Sequence, residues 1–169
     1  MATGPGDQEA TVPEASTTGS AAPRSLAEAL RARDDAALGA LLHARPDLLN
    51  PVPGDLTQLA TRAGTRASVV RALDRLDRFA LQTAEALAVA PDPCDRATLE
   101  GLLTGTPGAG EAPFDEALVA AVRAALPGAL ATLRDQAVVW GDDRTLRLVR
   151  TARELLAPAP SRPSPTGLG

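Results

Sequence analysis

The segment DLTQLATRAGTRASVVRALDRL, Asp55 to Leu76, constrains the fold more than any other part of the chain. Leu56, Leu59 and Ala63 fall on one face of a helix, and Asp55 with Gln58 has the capping-box pattern at its start. Gly64 stands where a helix ends in the left-handed conformation that glycine tolerates best. Thr65 then caps a second helix, with Val69, Val70, Leu73 and Leu76 on its inner side. Two short helices about a glycine turn match the helix-turn-helix pattern. Small Ala60 lets the helices approach, and Val70 packs back after the turn.

The remaining apolar residues suit helices. Of 169 residues, 35 are Ala, 25 Leu and 10 Val, against two Phe and one Trp. All 17 basic residues are Arg, and Lys, Ile and Tyr are absent. GC-rich coding produces such a palette, and Ala, Leu and Arg stand at the top of the helix-propensity scale. One Cys (Cys94) excludes an internal disulfide framework or a Cys-rich zinc site, and one His (His43) excludes a His cluster. No apolar run approaches the roughly 18 residues of a membrane span. The acidic start MATGPGDQEATVPEAS is no signal peptide. These features predict a soluble, cytoplasmic chain with no cofactor.

Residues 1–24 are too poor in apolar side chains to offset their ordering entropy and are expected to form a disordered tail. Residues 157–169 carry four Pro in APAPSRPSPTGLG and read as a linker. A linker normally joins two parts, so the chain is expected to be a piece of a longer protein. Residues 105–113, GTPGAGEAP, read as an exposed flexible loop.

Between these stretches the chain starts with a capping box at Ser25 and Glu28. Leu26 and Leu30 share a face of the first helix. Asp34 and Asp35 open a second helix with Leu38, Leu41 and Leu42 inward, stopped at Arg45-Pro46. After the helix-turn-helix, Asp77 caps a helix through Phe79, Leu81, Leu87 and Val89, and Asp95 caps another with Leu99, Leu102 and Leu103. A helix over 115–126 follows, and Pro127 is expected to begin a separate one with Leu130 and Leu133. The period then changes. Residues 137–140 and 145–149 read as a β-hairpin around Gly141-Asp-Asp-Arg144, and 151–156 as a last helix. The expected fold is mainly α: a helical element with a helix-turn-helix over 25–76, then a winged-helix-like domain over 77–156 with one β-hairpin.

The chemistry-bearing residues are few. GTPGAG lacks the Lys-Ser/Thr ending of a phosphate loop and follows no strand. Asp34/Asp35 and Asp142/Asp143 fit capping and turn chemistry better than a metal site. His43 near a helix end complements the dipole and has no evident catalytic partner, and Cys94 reads as an incidental loop thiol. No enzyme and no metal site are expected. The Arg residues point elsewhere. In a helix-turn-helix the early outward residues of the second helix reach base edges. These are Arg66, Ser68 and Arg71, with Arg62 and Arg75 near phosphates. From Asp55 to Arg78 there are five Arg and three Asp, a local excess of two in a chain of net charge −4. A second cluster is Arg144, Arg147, Arg150 and Arg153. Against DNA stand Asp74 and Asp77, which interrupt the stripe, and the acidic hairpin tip, which repels phosphate.

The runs SLAEALRARDDAALGALLHARPDLL, AGTRASVVRALDRLD and VVWGDDRTLRLVRTARELL resemble the N-terminal region of actinobacterial helicase-associated-domain proteins. These are named for similarity to the N-terminal domain of XPB-type DNA helicases. The resemblance covers Ser25 to Gly169 and implies DNA-linked work, with a helicase-like region far downstream. No helicase motif is present in this chain, so no ATPase activity carries over. The expected function is a non-catalytic DNA-associated module, with duplex or single-stranded DNA or a downstream helicase-like region as partner. The alternative is a protein-interaction or scaffolding module without DNA contact, marked by a mixed-charge second helix and an exposed Leu/Val patch.

Overall fold

Short side chains that accept hydrogen bonds start most of the helices. In the computed structural model, which describes residues 22–105, 115–158 and Thr166, Ser25 caps α1 (Leu26–Arg31) and Asp34 caps α2 (Asp35–Ala44). Asp55 caps α3 (Leu56–Ala63), and its carboxylate accepts from the Gln58 N–H at 2.7 Å. Gln58 completes the box by accepting from the Gly54 N–H at 3.0 Å. Asp77 caps α5 (Arg78–Val89), Asp95 caps α6 (Arg96–Thr104) and Asp115 caps α7 (Glu116–Asp135). Each cap satisfies an N–H that the helix cannot. A 3-10 turn, Pro46–Leu49, follows α2. α4 (Arg66–Leu73) follows α3, and α8 (Arg150–Leu156) closes the described chain. The structure is mainly helical with one two-stranded antiparallel sheet. β1 (Val139–Trp140) pairs with β2 (Arg147–Leu148), Val139 opposite Leu148 and Trp140 opposite Arg147. The expected tail as far as residue 21, residues 106–113 of the expected loop, and nearly all of the Pro-rich end lie outside the described residues.

Two apolar clusters hold these elements. The larger joins α4, α5, α6, α7, the hairpin and α8 through Val69, Ala72, Leu87, Leu99, Leu126, Leu130, Leu133, Val138, Leu146 and Leu156, so α4 of the helix-turn-helix packs with the C-terminal half. The smaller joins α1, α2, the 3-10 turn and α3 through Leu30, Leu41, Leu48, Leu59 and Ala63, and it also takes in Ala137 from the end of α7. Cys94, between α5 and α6, exchanges two backbone hydrogen bonds with Leu146, at 2.9 and 2.8 Å. A third backbone segment therefore lies beside the hairpin. Buried Glu85 on α5 accepts from the Thr166 hydroxyl and from its N–H.

Four local expectations are corrected. Gly64 is right-handed, with φ −86°, not left-handed. Its N–H bonds to the Ala60 carbonyl at 3.1 Å, so the turn is made by continuing α3 for one residue. The Thr65 hydroxyl donates back to the Arg62 carbonyl at 2.9 Å and does not cap α4. Val70 is exposed, while Val69 is buried as expected and Ser68 and Ala72 are buried with it. The right-handed Gly64 rotates α4 relative to the arrangement a left-handed turn would give. Pro127 lies inside a single helix, α7. It sits on the exposed side, so the carbonyl that lacks its N–H faces solvent, while Leu126, Leu130 and Leu133 continue one buried stripe across it.

α7 is, by length and composition, the only described helix apolar enough to cross a bilayer, with 28% of its most apolar stretch buried. It carries Arg123 at mid-length.

Candidate nucleic-acid interface

The α3–α4 corner carries the five residues expected to meet DNA, and the structure separates them. Arg66 and Arg71 stand exposed on α4 and form no ion pair among the described residues. Arg62 is half-buried and donates to the Leu48 carbonyl at 3.0 Å, closing the end of the 3-10 turn. Arg75 donates to the Ala44 carbonyl at the end of α2. Both serve as cations on helix C-termini, where orphan carbonyls collect.

Ser68 is buried, at 4% exposure, and cannot reach a base edge. The rotation of α4 that exposes Val70 turns Ser68 inward onto Arg45. Arg45, only 1% exposed, donates to the Gln136 carbonyl at 2.8 Å, the Ala63 carbonyl at 3.1 Å and the Ser68 hydroxyl at 2.5 Å. Ser68 in turn donates to Asp47, whose carboxylate lies 4.0 Å from Arg45. Burial lowers the proton affinity of Arg45, Asp47 raises it, and Arg75 lowers it again. The guanidinium keeps its charge even so. In the sequence Arg45 precedes Pro46 and reads as a helix stop. Its one distinguishing signal is that a cation stands between two apolar runs, LGALL and DLL.

One of the two hairpin-tip carboxylates is paired with arginines. Asp143 accepts from Arg134 at 2.8 Å and from Arg96 at 3.2 Å. Asp142 accepts from the Arg144 N–H at 2.9 Å and the Thr145 hydroxyl at 2.8 Å. Arg134 lowers the Asp143 pKa most, and the Thr145 hydroxyl does the same for Asp142. Gly141 makes the turn at φ +92°, where a Cβ would lie 2.1 Å from the Thr145 carbonyl oxygen. The charge of Asp143 is therefore neutralised from within, whereas Asp142 keeps its charge at the exposed tip beside Arg144.

Sequence reasoning missed the surroundings of Trp140. Its indole is half-buried, and the Arg147 guanidinium sits over it, 5.4 Å from the ring centre. Asp92 holds Arg147 in place at 2.9 Å. The alternation of VVW and RLV could have placed Trp140 and Arg147 opposite each other. Arg150 is 92% exposed and pairs with Glu154 one turn along α8. Arg153 instead donates to the carbonyls of Ala88 and Ala90 at the end of α5.

On the other side of the molecule, the outward face of α7 is apolar and built of small residues. Leu118, Ala121 and Ala125 line a groove of about 320 Å³ with Phe79 and Leu103. Arg123 on this helix is tied to Glu100 at 2.5 Å. Cys94 is buried, and burial followed by Asp95 raises its thiol pKa. Among the described residues no three His, Cys, Asp or Glu side chains gather as a metal site would require. No family model, curated protein or solved structure matches the chain.

Proposed function

We propose that the chain is a non-catalytic DNA-associated module with a winged-helix-like C-terminal half, part of a helicase-associated protein. The order α5, paired Cys94 segment, α6, α7, hairpin, α8 is that expected of a winged helix, and the sequence resemblance supports the DNA link. One observation carries the reading. Arg66 and Arg71 are exposed and unpaired on α4, with Asp74 at its C-terminal end, while Asp143 of the hairpin tip is bound internally by Arg96 and Arg134. Two free guanidiniums give weak, salt-sensitive binding, with a salt slope of roughly one per phosphate contacted.

The test is fluorescence anisotropy of labelled duplex DNA with the full chain at low and high salt. Saturable binding that weakens with salt and drops in an Arg66→Ala/Arg71→Ala double variant supports the reading. Absence of binding at low salt refutes it.

A second reading, a protein-contact module, is favoured by the face of α7. In a winged helix that helix meets the major groove, yet here its outward side offers Leu118, Ala121 and Ala125 and one arginine already paired. A Leu118→Glu/Ala121→Glu variant that keeps DNA binding but loses self-association or partner binding would establish this second role.

A further inference from the structure

We propose that the groove beside Trp140 binds unpaired nucleic acid, with a base against the indole and neighbouring phosphates on Arg24 and Arg150. This deepens the DNA-associated reading above and rests on it. The groove, about 400 Å³, lies between the start of α1, the end of α3 and the β1–α8 corner. Leu26, Ala60 and Val149 form its apolar wall, Trp140 an aromatic side, and Arg24 and Arg150 its cationic rim.

Three observations select this ligand. No carboxylate lines the groove, although the whole chain is acidic; Glu28, which accepts from the Arg24 N–H at 2.7 Å, and Glu154 stand at its rim. Trp140 also borders a second groove of about 220 Å³, lined by Arg33 and Arg134 and likewise free of carboxylates. There Arg33 is held by the carbonyls at the end of α7 and Arg134 by Asp143, so the phosphate contacts fall to Arg24 and Arg150 on the first groove, beside an aromatic side of the kind a base stacks on. Finally, Arg147, fixed by Asp92, holds the ring from one side and pre-orients it. A groove of this volume can take one nucleotide. Arg24 has no side-chain partner among the described residues, and Arg150 has only the exposed Glu154, which a phosphate can displace.

Trp140 is the sole Trp and the chain has no Tyr, so intrinsic fluorescence reports this site alone. The full chain is titrated with a thymidine oligonucleotide of about ten nucleotides, at low and at high salt, and with a duplex of the same length. The expected result is saturable quenching by the single strand that weakens with salt and is absent with duplex. An Arg24→Ala/Arg150→Ala double variant, with unchanged circular dichroism, should bind about tenfold more weakly, and Arg66→Ala/Arg71→Ala should leave the quenching intact. Trp140→Leu, followed by anisotropy of labelled oligonucleotide, should also lose about tenfold, the effect of one stacked base. Quenching that is absent, equal with duplex, insensitive to Arg24 and Arg150, or abolished with Arg66 and Arg71 overturns the proposal. If the duplex still binds through Arg66 and Arg71 while the indole is silent, the groove assignment falls and the DNA-associated reading stands. If neither form binds, both fall.

Discussion

Replacing Arg45 with Ala should unfold this protein more readily than any change at the exposed arginines. The side chain donates to the carbonyls of Gln136 and Ala63 and to Ser68, and its charge faces the nearly buried Asp47. Its removal strands two buried carbonyls and a carboxylate of which 11% is exposed. Each orphaned neutral group costs about 1–3 kcal/mol, and breaking a buried charged network by deleting one partner costs about 3–5 kcal/mol in total. Against a global stability of about 5–15 kcal/mol, that is about a fifth or more. At about 4 °C per kcal/mol for a chain of this size, Tm falls by about 12–20 °C. Ser68→Ala removes only the link between Arg45 and Asp47 and should cost about 1–2 kcal/mol. Urea titrations of wild type, both single variants and the double variant give the coupling, expected at about 1 kcal/mol or more for residues in direct contact. A loss below about 1 kcal/mol in Arg45→Ala refutes the reasoning. So does additivity of the two variants within about 0.5 kcal/mol.

Gly64→Ala should be neutral or stabilise by up to about 1 kcal/mol, because φ is −86° and the added Cβ would meet nothing nearer than 3.5 Å. Gly141→Ala should cost about 2–3 kcal/mol, since its Cβ would clash with the Thr145 carbonyl at φ +92°; chemical denaturation of the pair checks both. Cys94, 1% exposed and with a raised thiol pKa, should react with an aromatic disulfide reagent at neutral pH only after denaturant is added. Acid should weaken the hairpin. The Asp143 pKa is depressed in the folded state, chiefly by Arg134, so its contribution is complete above the unfolded value of about 3.9 and is lost as pH falls through the folded value. Asp143→Asn should therefore flatten the decline of the urea midpoint between about pH 5 and pH 3, at a neutral-pH cost of about 1 kcal/mol or less for half-exposed pairs.

The helix starts were legible because a cap is a local device. Asp34, Asp55, Asp77, Asp95 and Asp115 each act within the next few residues, so the chain shows them without reference to the fold. The hairpin was legible in outline for a similar reason, from its change of period and its Gly-Asp-Asp turn. Its strands, however, are only Val139–Trp140 and Arg147–Leu148, and Ala137, expected in the first, lies in the turn before it at φ 53°. What could not be read was the rotation of one helix against another. The α3–α4 corner was recognised, but its exact turn depends on whether Gly64 is left- or right-handed, and both conformations are open to glycine. That single dihedral decides whether Ser68 or Val70 faces inward. The binding role given to Ser68 failed on it. The helix break expected at Pro127 failed for a different reason: the stripe Leu126, Leu130 and Leu133 extends a long-range core, and burial outweighs one missing solvent-side hydrogen bond.

The arginines show the same division between local and distant causes, and they bear directly on function. A chain of short helices produces many terminal carbonyls that no helix satisfies. With Lys absent, the guanidinium is the one long cation available, and its forked donors suit carbonyls of neighbouring elements. Arg33 reaches the end of α7, Arg45 the ends of α3 and α7, Arg62 the 3-10 turn, Arg75 the end of α2 and Arg153 the end of α5. These contacts tie residues 25–76 to residues 77–156 at several points, with Arg45, Arg33 and the Thr151 hydroxyl on the Gly64 carbonyl spanning the boundary. Such arginines are spent on the fold and cannot also neutralise phosphate without releasing a helix end. Among the other described arginines, Arg24, Arg66, Arg71 and Arg144 hold no side-chain partner, Arg31 has only the Thr57 hydroxyl and Arg150 only the exposed Glu154, so these are the ones best able to contact nucleic acid. Substituting a carbonyl-bound arginine should lower stability and leave the salt slope of binding unchanged, whereas substituting a free one should reduce that slope by about one and leave stability unchanged.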